Sequence, residues 1–349
     1  MAAAEELSRR HQVRLFERLA EGLNESLSRR DSAPELLAQL QDGLGKIHRA
    51  VRGPRDGRFN KIADLLHGVV ADVKSRHKLM SQGDRKTIGL PTGIETLDEL
   101  LGGLQPGLHI LAAEPGAGKT SMALQIATNV ARAQYPVLFV TFEEDPARLT
   151  MKAVCQQANL AAREADQGLF LVMKKFEFGK GEPQRFEGAA NLYGPQLQRL
   201  NFKGGTAKLT VDRVKARAKK LLQEYKANQI LIVVDYIQRW ATGRKEFTEF
   251  RHKVSSLTGD LREMAMELKS PVLAISSQNK QGEGSSDMTS LKESGDLEYT
   301  ADSITFLVEK SSTPASKVIN LVLRKNRFGE SAEEKLTFYT DWGIFQDVT

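Results

Sequence analysis

Residues Ala113 to Ser121 read Ala-Glu-Pro-Gly-Ala-Gly-Lys-Thr-Ser, and no other stretch restricts the possible folds of this chain so strongly. An apolar run, Leu108–Ala112, precedes it, and an amphipathic helical pattern, Ser121–Ala133, follows it. A phosphate-binding loop requires that order of strand, loop and helix. Gly116 and Gly118 let the backbone curl so that successive N–H groups point inward at a phosphate. The helix N-terminus adds partial positive charge. Lys119 is placed to reach β- and γ-phosphates, and the Thr120 hydroxyl to bind Mg²⁺. The candidate nucleotide-binding residues are therefore Glu114, Pro115, Gly116, Ala117, Gly118, Lys119, Thr120 and Ser121. One position departs from the usual G-x-x-x-x-G-K-[ST] pattern, since Ala113 stands where the first glycine is expected. The bland alternative is a glycine-rich turn that binds nothing.

Downstream of Thr87 the texture fits such a loop. Short apolar, β-branched runs at 108–113, 136–142, 229–235, 271–277, 303–309, 317–325 and 334–340 are interspersed with helical segments. Near-continuous apolar runs suit strands buried on both faces, and their alternation with helices predicts a mainly parallel α/β sheet. The runs from 303 onward follow closely on one another and are expected to form an antiparallel extension. Residues 174–206, rich in Gly, Lys, Glu and Gln, read as an irregular excursion. Upstream, residues 4–30, 34–51 and 60–80 carry helical patterning, broken by a turn at Gly53-Pro54-Arg55-Asp56-Gly57. These predict a small all-α N-terminal segment over 1–85, with Ser81-Gln82-Gly83-Asp84 as linker, before an ATPase domain over 86–349. A helical segment of that size makes a thin core and is expected to pack on a neighbour or partner.

Charge and composition narrow the classes of function. The net charge is +6, and residues 1–90 carry 17 Lys and Arg against 12 Asp and Glu, so the basic excess sits almost wholly there. Contact with an acidic partner such as DNA is one reading and a solvated helical surface is the other. The single cysteine, Cys155, permits no internal disulfide, and the six histidines show no ligand spacing. No apolar run is long enough for a transmembrane helix and the N-terminus does not read as a secretory signal. A cytoplasmic protein without membrane contact is expected.

Ligands of open α/β sheets sit at the carboxyl ends of the strands. One such end reads Glu143-Glu144-Asp145 and another is Asp235. An Asp there fits the Mg²⁺ shell beside Thr120, and Glu143 is the candidate for deprotonating an attacking water. Acids at strand ends also serve as turn residues and caps. Gln278, after the run Pro271–Ser277, is a candidate γ-phosphate sensor or a residue of a polar turn. Arg324-Lys325-Asn326-Arg327-Phe328-Gly329 places Lys325 and Arg327 near a turn. Arginine stabilises charge on a transferring phosphoryl group and can be supplied in trans, although a basic surface turn reads the same way. Two weakly basic loops, with Arg244 and Lys245 in one and Lys280 and Lys292 in the other, are candidate DNA contacts or mobile surface.

Taken in order, these pieces resemble a known family. Gly89-Leu90-Pro91-Thr92-Gly93-Ile94, then Leu97-Asp98, then Gly102-Gly103-Leu104-Gln105-Pro106-Gly107 and an Ala-first loop are similar to the ATPase domain of replicative helicases of the DnaB type. Ile232–Gln238 resembles its Walker B strand, and Leu261–Leu268 with Pro271-Val272 its helix-to-strand segment. Glu293–Glu298 with Ala301-Asp302 resembles its Arg-Glu-Ser-Gly element, with Lys292 in place of Arg. Lys325 and Arg327 fall on its trans-acting basic pair. The likeness runs from about 86 to 347. Three features depart from it. The family's N-terminal domain is longer. Its sensor strand usually carries Gln where this chain has Ser277. Thr141–Glu144 and Lys325–Gly329 also resemble the KaiC and RadA branches, although RadA-like proteins carry a zinc-binding segment and a protease-like tail that this chain does not match. The resemblance implies a RecA-like P-loop ATPase using ATP and Mg²⁺ to unwind DNA during replication. It also implies a homo-oligomer, a hexameric ring moving 5′ to 3′ on single-stranded DNA, with a primase or loader as partner. The rival expectation is a RecA-like DNA-dependent ATPase that regulates, recombines or loads without strand separation.

Overall fold

A computed structural model describes residues 87–164, 182–206, 208–244, 247–278 and 294–348, together with a few isolated positions nearer the N-terminus. The chain divides into two compact units, Met1–His77 and Lys78–Thr349. In the first unit the described positions are helical, and Ile62, Leu66, Val69, Val70 and Val73 recur at helical spacing with exposed side chains. The remaining helical patterning of 4–51, the turn at Gly53–Gly57 and the linker at Ser81–Asp84 lie outside the described residues. Among the described residues no helix is long and apolar enough to cross a membrane.

The second unit is built on one nine-stranded sheet. Its elements run α1 (Glu95–Leu101), β1 (Gly107–Ala113), α2 (Lys119–Arg132), β2 (Val137–Thr141), α3 (Pro146–Glu164), α4 (Glu182–Tyr193), a 3₁₀ turn (Gly194–Leu197) and β3 (Leu200–Gly204). They continue through α5 (Val211–Glu224), β4 (Leu231–Asp235), α6 (Ile237–Ala241), α7 (Phe250–Leu268), β5 (Pro271–Ser277), α8 (Ser294–Thr300), β6 (Ser303–Ser312), β7 (Ser316–Asn326), β8 (Ala332–Tyr339) and β9 (Ile344–Asp347). The spatial order is β3-β2-β4-β5-β1-β6-β7-β8-β9. Pairing is parallel from β3 through β6 and antiparallel from β6 through β9.

The central strands are apolar throughout because both faces are covered. Leu108, Ile110 and Ala112 of β1 face one core, together with Ile232 and Val234 of β4 and Leu257 and Leu261 of α7. Leu111 and Ala113 face the other, with Leu231 and Val233 of β4 and Met122 and Ile126 of α2. The two-residue period of a strand makes this split. Helix α7 forms because Val254, Leu257, Leu261, Met264, Ala265 and Leu268 fall on one buried stripe. Helix α5 starts where the Thr210 hydroxyl accepts from the Arg213 N–H at 3.3 Å.

The mainly parallel α/β sheet read from the sequence is present, with two corrections. Residues 182–204 are not irregular: they form α4, the 3₁₀ turn and β3, which pairs in parallel with β2. Strand β3 is a partly exposed edge whose residues Leu-Asn-Phe-Lys-Gly show little apolar continuity, so the sequence signal was weak. The antiparallel extension also begins at β7 rather than at residue 303, because β6 pairs in parallel with β1. Strand β9 is short and carried no separate sequence expectation.

The extension folds back over the loop helix. The Gln125 side chain of α2 donates to Phe345 O at 2.9 Å and accepts from Phe345 N–H at 2.7 Å. Phe338 and Phe345 stack at 4.3 Å beside Gly118, whose φ of 92° leaves no room for a Cβ. At the other end, the Asp347 carboxylate accepts from the Glu95 and Thr96 N–H groups at the start of α1.

Candidate active site

The loop Glu114–Gly118 leaves the carboxyl end of β1 and enters α2 at Lys119. Gly116 has φ 84° and Gly118 φ 92°, a left-handed backbone that glycine adopts without strain. Lys119 Nζ folds back over this loop and donates to Ala113 O at 2.8 Å and Glu114 O at 2.6 Å. Burial lowers its pKa to about 8, against the attraction of Asp235, Glu143 and Glu114. A cation so placed gains from an anion entering the loop, because phosphate charge offsets the desolvation.

Strands β4 and β2 bring the acids to the same rim. Asp235 is paired in register with Thr141, so the ends of β4 and β2 lie side by side. Thr120 Oγ1 donates to Asp235 Oδ2 at 3.0 Å. Burial raises the Asp235 pKa to about 6, the Thr120 hydrogen bond opposes the rise, and the Glu143 and Glu144 charges add to it. A divalent cation would relieve that stress, and a hydroxyl beside a carboxylate is the hard-oxygen donor set that Mg²⁺ takes. Thr120 and Asp235 therefore fit the metal.

The three acids after β2 are separated by what they touch. Glu144 binds Lys152 Nζ at 2.5 and 2.6 Å. Asp145 accepts from the Ala147 N–H at 2.8 Å and so caps α3. Glu143 is exposed and acts electrostatically on both Lys119 and Asp235. Gln278 is buried at the end of β5, and its backbone N–H donates to Ala113 O at 3.4 Å, beside the first residue of the loop. The Ser277 N–H instead donates to Gln238 Oε1 of α6 at 3.3 Å, and the same amide donates to Ser276 Oγ at 2.8 Å. The end of β5 is thereby tied to the helix that follows Asp235.

Lys325 and Arg327 lie elsewhere. Strand β7 runs antiparallel to β6, and Asn326 pairs with Ser303, which is itself paired with His109 near the start of β1. The basic pair is thus at the amino ends of the parallel strands. From Leu108 to Ala113 along β1 is about 17 Å at a strand's rise. No single chain of this fold brings Arg327 to its own loop.

Of the DNA-contact candidates, Arg244 is engaged internally: it donates to Ser256 Oγ at 2.6 Å and pairs with Asp260 of α7. Its guanidinium is therefore not the free cation that the sequence suggested. Lys245, Lys280 and Lys292 lie outside the described residues. One residue that sequence reasoning missed is Lys317. Strand β7 carries its Nζ to 3.2 Å from Gly116 O and 2.7 Å from Glu309 Oε2. A lone lysine in a strand carries no motif, so only pairing across the β6–β7 hairpin reveals it.

Comparison with known proteins agrees with this geometry. The family described as DnaB-like helicase C-terminal domain matches residues 89–347. The replicative DNA helicase DnaB of Geobacillus stearothermophilus is 26% identical over 324 residues, which is 90% of this chain and 68% of that protein. The replicative DNA helicase DnaC of Bacillus subtilis (strain 168) is 26% identical over 331 residues, 92% of this chain and 68% of that protein. Among solved structures, an ATPase domain determined on its own superposes with a TM-score of 0.66 at 21% identity, over 83% of this chain and 99% of that one. A DnaB-like replicative helicase, solved in a study of its interactions with primase, gives 0.73 at 20% identity, over 100% of this chain and 78% of that one.

Proposed function

Because the chain belongs to the DnaB-like helicase C-terminal domain family, we propose that it is an ATP-driven DNA helicase of replication, working as a homo-oligomeric ring. The observation that carries this reading is the separation within one sheet: the phosphate loop at the carboxyl ends of the strands and the Lys325–Arg327 pair at the amino ends. ATP then lies between neighbouring chains, and each chain completes its neighbour's site.

In this reading Lys119 and the loop N–H groups hold the β- and γ-phosphates. Mg²⁺, held by Thr120 with Asp235, neutralises developing phosphate charge. Glu143 accepts a proton from the attacking water. Gln278, packed at Ala113, reports the γ-phosphate to the segment after β5. Arg327 and Lys325 enter from the adjacent chain and stabilise charge on the transferred group, so hydrolysis requires assembly. The ring is a hexamer moving 5′ to 3′ on single-stranded DNA, with the segments after α6 and β5 touching phosphates. Such contacts give little sequence preference and strong salt dependence. The oligomer recruits a primase or loader through surfaces that include the N-terminal helical segment.

The test is complementation. Lys119→Ala should abolish ATP turnover. Arg327→Ala and Glu143→Gln chains, each inactive alone, should regain turnover when mixed, because one intact loop then meets one intact arginine. Absence of recovery at every ratio rejects the shared site. The pairing of Arg244 with Asp260 favours a second reading, a DNA-dependent ATPase that switches or loads without separating strands. Unwinding of a forked duplex by the wild-type protein distinguishes the two.

A further inference from the structure

We propose that Asp302 is a positioning residue that sets the Arg327 guanidinium for use by the neighbouring chain; the proposal rests on the shared-site reading above. Asp302 stands between α8 and β6, and its side chain is only 7% exposed. A carboxylate so buried must be surrounded by donors. Its Oδ2 accepts from the Leu108 N–H at 2.9 Å and from Arg262 Nε at 3.2 Å. Its Oδ1 accepts from Arg262 Nη2 at 3.1 Å and from Arg327 Nη1 at 2.9 Å.

The backbone repeats the same connections. The Asp302 N–H donates to Leu108 O at 2.7 Å, and the Arg327 N–H donates to Asp302 O at 2.9 Å. Arg327 is therefore held at both ends by one residue, and its second arm donates to Tyr299 O at 2.9 Å. Lys325 Nζ is also turned to the end of α8, donating to Glu298 O and Tyr299 O. Two cations that would otherwise repel are brought side by side by one carboxylate and the carbonyls at a helix C-terminus, where positive charge is favoured. Arg327 nevertheless keeps 42% of its side chain exposed, so the outer edge of the fork faces away from the chain.

The arrangement fixes a long, flexible side chain before its target arrives, which is how orientation lowers a barrier. Arg262 acts one step further back: its fork on Asp302 fixes the carboxylate from α7. Because Asp302 is also joined to Leu108, the finger is attached to the strand that carries the chain's own phosphate loop at its far end. A residue that only joined β1 to β6 would matter to folding but not to the neighbour's turnover.

The variant to make is Asp302→Asn. Its remaining side-chain oxygen still accepts from Leu108, but the charge and one acceptor for the arginines are gone. ATPase kcat should fall by about tenfold or more, the loss expected for a hydrogen bond to a charged group. Affinity for a fluorescent ATP analogue should stay within about twofold of wild type, since the variant's own loop is untouched. Mixed with Glu143→Gln chains, Asp302→Asn chains should regain turnover; mixed with Arg327→Ala chains they should not. Should Asp302→Asn fail to fold, Arg262→Gln is tested in the same way and should show the same pattern. Unchanged kcat overturns the proposal. So does lost nucleotide affinity, or a failure to recover with Glu143→Gln chains when the Arg327→Ala and Glu143→Gln mixture does recover. If that control mixture itself stays inactive, it is the shared-site reading that fails.

Discussion

At the scale of single residues, the three acids after β2 have three different fates, and distance separates them. Glu144 is neutralised by Lys152 and Asp145 caps a helix, which leaves Glu143 as the carboxylate toward the loop. Glu143→Gln should therefore cut turnover by about 100-fold or more while nucleotide still binds. Glu144→Gln should keep turnover and lose about 1 kcal/mol of stability. Steady-state kinetics and thermal melts on both variants check this, and the opposite pattern would move the base to Glu144. His109 gives a pH prediction. Its ring is buried, donates from Nε2 to Gln105 O at 2.7 Å and accepts at Nδ1 from Ser303 Oγ at 2.8 Å. Burial lowers its pKa below the ordinary 6.5, although the Gln105 carbonyl and Asp302 oppose the fall. The unfolded chain thus binds a proton below about pH 6.5 that the folded chain refuses, so stability drops as pH falls through that range. In melts from about pH 7 to about pH 5, His109→Gln should lose less stability than wild type. Equal slopes would show that His109 is not responsible.

At the scale of elements, the antiparallel extension acts as a brace for the phosphate-loop helix. Gln125 commits both ends of its amide to the backbone of Phe345, inside the core. Gln125→Leu keeps the size but strands a buried N–H and a buried carbonyl, which should cost about 2–4 kcal/mol. Chemical denaturation measures that loss directly, and a change below about 0.5 kcal/mol would mean that β9 does not brace α2. Much of this level was legible beforehand. Strands β1, β2, β4 and β5 were visible because burial on both faces demands unbroken apolar runs. Strand β3 was not, because an edge strand needs apolar residues on fewer sides. The direction of β6 was not either, since local pattern is the same for a strand that joins in parallel or in antiparallel.

At the scale of the whole molecule, a parallel sheet has polarity, and this chain places its two sets of phosphate-reading groups at opposite ends. Turnover should then depend on assembly. The specific ATPase activity of wild type should rise with protein concentration through the range where single chains associate, as followed by light scattering. Constant specific activity down to the isolated chain would exclude a shared site. The sequence by itself determined the phosphate loop, the acids at the strand ends, the basic pair and the family likeness, because each depends on neighbours along the chain. Only the tertiary structure decided which of three acids faces Lys119, that Lys317 reaches Gly116, that Arg244 is held by Asp260, and that Asp302 holds Arg327. Those facts depend on strand register and on packing between residues tens to hundreds of positions apart, and a linear pattern does not encode which of several equivalent side chains a fold will bring within hydrogen-bonding distance of another.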